Sequence, residues 1–452
     1  MPTEYADAVV VGTRCAGTAV ATTLARAGRR VVGLDSAAFP SDTLSTHLLW
    51  PAGVAEVEAL GALGRVRALG APALPIGFAA GAGVEVRSPF SAYDGIDYAM
   101  CVRRTGLDAA LVANARDAGA DLREKCRVTE LLWQNGRVAG VRYTDREGTR
   151  ELRAPLVVGA DGRRSTVARQ VGVLDPYRSA PSGRACYYAY WEDTRAEWRD
   201  TAAQWREGDS LGTAFPCDDG LLLCLIQPPV SRPVDRSESA YRAMIAEIPG
   251  LAARLGGCTL RGRVRSAVDI VSYFRRSTGP GWALPGDAGH FKDPVTAQGI
   301  RDALRYGRLL GEAVAPVLDD PAALDRALYA WERRRELDCL EVYQWTNHLA
   351  RAEPMSPLEI ELYRAAATDP ALSCAVMEVM SRVRAPGDIL TLPQRALFAS
   401  RALFHRGHDN ALHDVLRDVR DTVAEWHERH QVSRTELPPL PTPPASASLE
   451  SA

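Results

Sequence analysis

The chain has 452 residues, 46% of them hydrophobic, and a formal net charge of −2, a composition typical of globular proteins with length for about three domains. The balanced charge gives no sign of nucleic-acid or membrane-surface binding. Its nine cysteines show no C-x-x-C motif and no Cys/His ligand spacing. We therefore expect free thiols, no metal site and a cytoplasmic location, without a signal peptide or a spanning segment.

The first 35 residues predict a strand, a tight turn, a helix and a second strand. An apolar run, Ala8 to Val11, ends at Gly12, and a second apolar run ends at Asp35. Gly12 permits the turn, and Gly17 lets the intervening helix pack close to the first strand. The helix N-terminus offers free N–H groups to a pyrophosphate, and Asp35 is placed to accept hydrogen bonds from ribose hydroxyls. This unit predicts a dinucleotide site.

Arg14 replaces the middle glycine of the G-x-G-x-x-G pattern. That glycine normally lets the backbone approach the phosphates, so the arginine side chain must turn away or become part of the site. We expect its planar cation to lie along the pyrophosphate or the adenine.

Apolar periodicity and turn residues predict the elements that follow. They are a helix around 54–69, short strands within 76–100, a helix over 107–118, a strand over 120–132 with a hairpin partner at 138–143, and a short strand at 156–159. Alternating aromatic segments between 184 and 272 predict an antiparallel sheet, interrupted by a helix at 239–248. A strand at 282–284, a helix from about 298 and a helical pattern over 321–430 complete the order, and the Pro- and Ser-rich tail from 438 predicts disorder.

Two further glycine–acid turns follow short apolar strands, as in the first unit. One is Gly159-Ala160-Asp161-Gly162, and the other contains Gly286 and Asp287. Open α/β folds bind ligands at the carboxyl edge of the sheet, where such turns lie. Three turns in this order predict loops that converge on one elongated coenzyme.

These three motifs, with the run GDAGHFKDPVTAQGIRDAL that begins at Gly286, resemble those of the FAD-dependent aromatic hydroxylases typified by p-hydroxybenzoate hydroxylase. Flavin halogenases and geranylgeranyl reductases are relatives of that family. The resemblance covers residues 1 to about 315. It implies an α/β fold with a Rossmann-like FAD-binding three-layer domain, an antiparallel β-sheet substrate domain and a C-terminal helical region. The expected boundaries are 1–75, 101–178 and 275–320 for the FAD-binding domain, 76–100 and 179–274 for the substrate domain, 321–436 for the helical region and 437–452 for a disordered tail.

The resemblance also implies a set of FAD-binding residues. They are Gly12, Arg14, Gly17, Asp35, Ser45, Thr46, Arg104, Val128, Asp161, Gly162, Gly286, Asp287, Gln298, Gly299 and Ile300. Asp161 and Gly162 match the motif that contacts both FAD and the pyridine nucleotide, and Asp287 matches the acid that holds the FAD ribitol. Arg104 matches the arginine that starts a helix near the pyrophosphate and ribitol, and Val128 matches a strand whose backbone meets the adenine.

The catalytic candidates are His47, Lys292 and Pro294. The resemblance places Pro294 beside the isoalloxazine, and it directs the N–H groups of the helix that starts at Gln298 to the flavin N1–C2=O edge. In the hydroxylases the loop that corresponds to residues 41–47 carries an arginine over the flavin, whereas this chain has none there and offers His47.

His47 is a candidate general base because the ordinary pKa of histidine is near neutrality. Lys292 is a candidate to hold a substrate carboxylate or to polarise a peroxide. The structural alternatives are a histidine that caps its loop and an ion pair between Lys292 and Asp293. His290, which follows the third motif, is a weaker candidate that suits a backbone hydrogen bond.

The resemblance implies an FAD-dependent monooxygenase, of the hydroxylase or epoxidase type, that acts through a flavin C4a-hydroperoxide on an apolar, aromatic or polyketide-like small molecule. The expected partners are this substrate, O₂ and NADPH or NADH, or a separate reductase that supplies reduced flavin; no nucleic acid or membrane is expected, and the oligomeric state is left open. The aromatic segment 187–191 is a candidate substrate wall, although its side chains also suit the core of a sheet.

Two alternative functions remain at this stage. One is a flavin-dependent ene-reductase of the geranylgeranyl-reductase type, and the other is a non-catalytic flavin-fold binding protein. A halogenase is disfavoured because the chain lacks the W-x-W-x-I-P signature of that group.

Overall fold

The computed structural model describes residues 3–232, 235–404 and 411–441. A six-stranded sheet, called here the main sheet, lies at its centre. The strands of the main sheet, in spatial order, are Thr278–Gly279, Trp282–Ala283, Leu156–Gly159, Ala8–Val11, Val31–Leu34 and Asp121–Arg123. All neighbouring strands are parallel except the first pair. The carboxyl ends of the parallel strands therefore share one edge.

The main sheet is buried on both faces because side chains along each strand alternate between two layers. Val10 shares a hydrophobic cluster with Leu24 and Leu310 of the helices on one face. Val9 shares another cluster with Leu131 of a second sheet on the opposite face. This second sheet has the strands Thr3–Tyr5, Gly148–Arg153, Arg137–Asp145 and Arg127–Gln134 in spatial order. The predicted three-layer FAD-binding architecture is confirmed.

The strand predicted over residues 120–132 is wrong in its continuity. Asp121–Arg123 joins the main sheet, whereas Arg127–Gln134 joins the second sheet. Between them Lys125 has a φ of +57°, in the left-handed region. The chain turns there and changes layers, which a continuous apolar pattern does not reveal.

A seven-stranded sheet, called here the substrate-side sheet, combines two distant parts of the chain. Its strands, in spatial order, are Thr259–Ala267, Cys186–Glu192, Leu221–Gln227, Ser210–Pro216, Thr201–Glu207, Ile76–Gly81 and Val84–Pro89. All pairs are antiparallel except Thr201–Glu207 with Ile76–Gly81, which is parallel. These two strands are far apart in sequence, so no hairpin forces them to be antiparallel.

Two small sheets connect these larger ones. Their strands are Arg178–Pro181, Val271–Phe274 and His290–Phe291 in one, and Leu48–Leu49 with Met100–Cys101 in the other. The helices of the first 320 residues are Cys15–Arg26, Pro51–Ala59, Leu63–Arg67, Arg104–Asp117, Thr166–Gln170, Glu238–Ala246, Pro249–Arg254 and Gly299–Val314. Short 3₁₀ turns are Ala196–Trp198, Gly286–Ala288, Pro294–Thr296, Ala315–Val317 and Pro386–Asp388.

The C-terminal region is helical, as the sequence predicted. Its helices are Pro321–Leu349, Pro357–Ala366, Pro370–Ser381, Leu392–Ala402 and Ala411–Arg434. The first of them packs on Gly299–Val314, where the Trp331 indole N–H donates to the Tyr306 carbonyl at 2.9 Å. Residues 442–452 of the predicted disordered tail lie outside the described residues. Among the helices that the structure describes, none has the length and hydropathy needed to cross a bilayer.

Candidate active site

A cavity of about 670 Å³ lies at the carboxyl edge of the main sheet, where the three glycine–acid loops meet. Fourteen of the candidate site residues line it. They are Gly12, Arg14, Asp35, Ser45, Thr46, Arg104, Val128, Asp161, Gly162, Asp287, Lys292, Pro294, Gly299 and Ile300. The other four candidates, Gly17, Gly286, His47 and Gln298, do not line the cavity and contact residues around it.

The turn after the first strand leaves no room for side chains. Gly12 has a φ of +88°, and a Cβ there would lie 2.6 Å from the Ala160 carbonyl oxygen. A Cβ at Gly17 would overlap the Gly12 carbonyl oxygen. Since the turn, the helix and the second motif touch through these glycines, no other residue fits here without moving the backbone.

Asp35 lies at the end of its strand, as predicted, and holds two loops together. Its Oδ2 accepts from the Thr13 backbone N–H at 2.7 Å, and its Oδ1 accepts from the Ala37 backbone N–H at 2.8 Å. The Thr13 hydroxyl also donates to Oδ2 at 3.3 Å, whereas Oδ1 has a further lone pair, so a ribose hydroxyl can still donate to the side chain from the cavity.

Arg14 lines the cavity, and its guanidinium is held by other residues of the protein. Its guanidinium forms an ion pair with Asp108 and donates to the Ser41 hydroxyl at 2.8 Å. Arg104 binds the same carboxylate, with Nε 3.0 Å from Asp108 Oδ1. Asp108 is fully buried and forms ion pairs with both arginines at the cavity wall. Asp108 was not identified from the sequence. Its place four residues after Arg104 on a helix was the available signal.

Asp161 orders the second loop by capping a helix. Its carboxylate accepts from the Thr166 backbone N–H at 2.6 Å and from the Ser165 hydroxyl. Burial raises the pKa of Asp161, and these hydrogen bonds act against that shift. Gly162 has a φ of +78°, and a Cβ there would meet no atom within 4 Å. The loop is open toward the cavity at this position.

Asp287 has the arrangement expected of a ligand-binding acid. Its carboxylate makes no hydrogen bond to any residue in the described part of the chain, and it lines the cavity. Burial raises its pKa, while the nearby cations Arg163, Arg104 and Lys292 lower it. The backbone is fixed instead, because the Tyr273 hydroxyl donates to the Asp287 carbonyl at 2.6 Å.

The third loop delivers a helix N-terminus to the cavity. Asp293 caps the 3₁₀ turn Pro294–Thr296 by accepting from the Val295 N–H at 2.8 Å, and Ala297 then takes a left-handed φ of +52°. The helix Gly299–Val314 begins at once, and a Cβ at Gly299 would meet no atom within 4 Å. Backbone N–H groups and the positive end of the helix therefore face the cavity.

The Gln298 side chain has a structural role. Its Nε2 donates to the Met380 carbonyl at 2.9 Å, which ties the start of this helix to the C-terminal region. Its Oε1 is buried and has no hydrogen-bond partner among the described residues. Gly286, with a φ of +62°, contacts Ala16 of the first helix.

Lys292 lines the cavity and forms an ion pair with Asp302. The sequence alternative was an ion pair with Asp293. The Lys292 Nζ also lies 3.2 Å from His290 Nε2. Arg301 binds the other Asp302 oxygen at 2.8 Å. Although burial alone would raise the pKa of Asp302, these two cations hold it well below its usual range.

His290 makes the backbone hydrogen bond expected of it. Its Nδ1 lies 2.9 Å from the Tyr273 carbonyl, so Nδ1 carries the proton and Nε2 accepts from Lys292. Burial and the Lys292 charge lower the pKa of His290 well below its ordinary value. Ligand atoms of Cys339, Asp302 and His290 lie within 4.8 Å of one another, close enough to bind a metal ion together. The Lys292 ammonium within the group makes a cation there unfavourable.

The surroundings of His47 favour a positioning role over the predicted role of general base. The side chain is fully buried, and burial lowers its pKa to about 4. Its Nδ1–H donates to the Ser45 carbonyl at 2.6 Å, so Nε2 accepts from the Tyr190 hydroxyl at 2.7 Å. Both ring nitrogens are occupied, and the histidine fixes the loop that carries Ser45 and Thr46 into the cavity.

Part of the cavity wall is apolar and comes from the substrate-side sheet and its neighbours. The residues of this wall are Cys186, Tyr188, Ala267, Ile270 and Phe291. Of the aromatic segment 187–191, only Tyr188 lines the cavity, while Tyr187 and Trp191 lie in the core on the other face of the sheet. Strand alternation explains this division.

The cavity fits FAD on three observations. Glycines line the cavity at positions where a Cβ would clash or would fill open space. The Asp287 carboxylate faces it with no hydrogen-bond partner among the described residues, and a helix N-terminus opens into it at Gly299. These are the features that bind a ribityl chain, a pyrophosphate and an anionic ring edge.

Comparison with known proteins agrees with this geometry. The family described as "FAD binding domain" matches residues 5–345. Menaquinone reductase of Mycolicibacterium smegmatis is 33% identical over 335 residues, which cover 68% of this chain and 76% of that protein. Digeranylgeranylglycerophospholipid reductase 2 of Methanopyrus kandleri is 28% identical over 349 residues, 72% of this chain and 82% of that protein. A flavoprotein/dehydrogenase structure from Cytophaga hutchinsonii superposes with a TM-score of 0.73 at 18% identity, covering 94% of this chain and 100% of that one.

Proposed function

Because the chain belongs to the FAD-binding domain family, we propose that this FAD-dependent oxidoreductase is a monooxygenase of an apolar small molecule. The observation that carries the proposal is the two-part cavity. One part has the glycines, acids and helix N-terminus that suit FAD, and the other has the apolar wall of Cys186, Tyr188, Ile270 and Phe291. A substrate that contacts this wall lies beside the loop of Pro294.

Bound FAD supplies the redox chemistry, including the activation of O₂. The chain supplies position and electrostatics. The N–H groups at Gly299 and Ile300 and the Lys292 ammonium place positive charge at one part of the cavity, where they stabilise negative charge on a bound ring. Asp302 and His290 hold that ammonium in place.

Several groups in and behind the apolar wall are neutral near pH 7, while the Arg163 guanidinium lies over the Phe291 ring at 4.9 Å from its centroid. Burial keeps His47 neutral, and it raises the pKa of Cys186 and of Tyr190. The apolar side chains of this wall suit oxygen transfer to an electron-rich carbon, because they exclude water from the reacting atoms.

The reductant we propose is NADPH or NADH, or reduced flavin from a separate reductase. The proposed substrate is aromatic or polyketide-like, because the wall is apolar. The proposal names a class of substrate and no single compound.

A second candidate function is the reduction of a carbon–carbon double bond in a prenyl lipid. The observation that favours it is the similarity to menaquinone reductase at 33% identity and to digeranylgeranylglycerophospholipid reductase 2 at 28% identity. The same cavity accommodates either reaction, since both require FAD next to an apolar substrate.

One experiment separates the two reactions. The FAD-loaded protein is supplied with NADPH or NADH and with a panel of phenols, polyketide-like aromatics and prenyl quinones, under air, under ¹⁸O₂ and under nitrogen. The monooxygenase proposal expects a product that gains one ¹⁸O atom and is absent under nitrogen. A product that gains two hydrogens and persists under nitrogen would replace it with the reductase.

A further inference from the structure

Exposed apolar side chains are concentrated near the C-terminus. In the described part of the chain, eight of the sixteen exposed large apolar side chains lie between Leu397 and Trp426. Five of them form what we call the outer stripe of the helix Ala411–Arg434. The outer stripe consists of Leu412, Leu416, Val419, Val423 and Trp426, each 48–61% exposed. The steps of four, three, four and three residues place them along one side of the helix.

The opposite side of this helix is fixed to the protein. Glu428 accepts from Arg178 at 2.9 Å and from Gln344 at 2.6 Å, and Asp421 accepts from Arg351 at 2.7 Å. Because these contacts hold the helix by its inner side, the outer stripe is presented to the surroundings. Apolar patches of this kind on a monomer mark interaction sites.

Charge is divided unequally between the two sides of the helix. Its acidic residues are all buried or half-buried. They are Asp414, Asp418, Asp421, Glu425 and Glu428. The exposed residues beside the outer stripe are basic or neutral, and include Arg420 and Arg434 together with the imidazoles of His413, His427 and His430. The outer side is thus apolar with basic side chains and no exposed acid beside it, which complements the interfacial layer of a bilayer that contains anionic lipids.

A second copy of the chain fits this surface less well. If two such helices paired through the outer stripe, the residues next to the seam would be His413, Arg420 and His427 on one flank and Val415, Thr422 and Arg429 on the other. Whether the two helices run parallel or antiparallel, none of these flanking residues would face an acidic side chain of the other helix. Self-association would place arginines and histidines against one another.

We propose that the helix Ala411–Arg434 docks flat on the surface of an anionic phospholipid bilayer, with the outer stripe in the interface and the basic side chains at the headgroups. Tryptophan favours this depth, which suits Trp426 at one end of the stripe. The proposal holds for either reaction of the cavity. It departs from the expectation from net charge, because the −2 of the whole chain does not describe the local distribution of charge along this helix.

Co-sedimentation with vesicles tests the proposal on the FAD-loaded full chain. The vesicles are either pure phosphatidylcholine or three parts phosphatidylcholine to one part phosphatidylglycerol. The wild-type protein should sediment with the anionic vesicles, less at high salt, and the variant Val419→Glu/Val423→Glu should lose more than about tenfold in partition. The matched control is Leu337→Glu, an exposed leucine on the helix Pro321–Leu349, which should partition like wild type.

Two further readouts keep the proposal falsifiable. Brominated lipids should quench the fluorescence of wild type more than that of Trp426→Phe, which reports insertion of that side chain. FAD retention by each variant shows that the fold is intact. Equal partition of wild type and the double glutamate variant would overturn the proposal, as would a dimer in light scattering that the double variant converts to monomer.

Discussion

At the scale of single residues, Asp287 lines the cavity and its carboxylate has no hydrogen-bond partner among the residues that the structure describes. Its replacement should act on the cofactor and not on the fold. We expect Asp287→Ala to weaken FAD binding by about tenfold or more, since it removes charge-assisted hydrogen bonds to the ribityl chain.

The measurement for Asp287 is the FAD-to-protein ratio after gel filtration, together with a fluorescence titration of the apoprotein. The control is Asp97→Ala, an exposed aspartate away from the cavity, which should retain FAD. An Asp287→Ala protein that keeps a full complement of FAD would remove this residue from the site.

His47 gives a prediction about pH. Its folded-state pKa is about 4, below the ordinary value of about 6.5 for an unfolded chain. As the pH falls from 6.5 toward 4, the unfolded chain takes up a proton that the folded chain does not, so stability falls. Between pH 7 and pH 5, the free energy of unfolding should fall by about 2 kcal/mol more in wild type than in His47→Gln. Urea unfolding at the two pH values measures this difference, and equal losses would show that His47 titrates normally.

Lys292 gives a prediction about stability. It is one of two cations on the buried Asp302 carboxylate. Lys292→Met should retain FAD, lower turnover and reduce the free energy of unfolding by about 3 kcal/mol, because it leaves a buried charge with one partner fewer. The double variant Lys292→Met/Asp302→Asn should recover part of that stability. Denaturant unfolding decides between these outcomes, and a fully stable single variant would contradict the buried ion pair.

The residues that belong to a sequence motif could be predicted, whereas contacts between residues on different elements could not. Asp287 and Asp35 were placed correctly because each follows a recognisable apolar strand. The partners of Lys292 and His47 could not be predicted, since Asp302 and Tyr190 reach them from other elements. Burial that reverses a pKa expectation, as for His47, is likewise a property of the folded chain.

At the scale of elements, the contact between the first turn and the first helix controls the site. A Cβ at Gly17 would overlap the Gly12 carbonyl oxygen. Gly17→Ala should therefore destabilise the protein by about 2 kcal/mol or more and reduce FAD retention, because the helix must move away from the turn.

The matched control for Gly17 is Gly64→Ala. Gly64 lies in the helix Leu63–Arg67, and a Cβ there would meet no atom within 4 Å. It should leave thermal stability unchanged or slightly raised, since alanine is the better helix former. Melting temperatures of the two variants, with and without FAD, test this contrast; similar values would show that the close packing at Gly17 is unimportant.

The elements with a clear period were predictable, and those that change partner were not. The helix predicted over 107–118 begins three residues earlier, at Arg104. The parallel pairing of Ile76–Gly81 with Thr201–Glu207 has no local signal, because more than a hundred residues separate the strands. The two-residue period of apolar side chains shows which residues of a strand share a face of the sheet. It does not show which strand is its neighbour.

At the scale of the whole molecule, the convergence of three loops was predictable from parallel strand order alone. The strands before Gly12, Asp161 and Asp287 lie side by side, so their turns meet at one edge. The apolar wall was not predictable in detail, because Cys186, Ile270 and Phe291 come from separate strands and loops that meet only in the fold.

A crystal structure of the protein with FAD tests the central claim most directly. The account predicts one FAD per chain in the 670 Å³ cavity, with the ribityl chain at Asp287, the adenosine end at Asp35 and the flavin ring between Gly299 and the apolar wall. FAD bound on another face, or a ring that lies away from Phe291 and Tyr188, would contradict it.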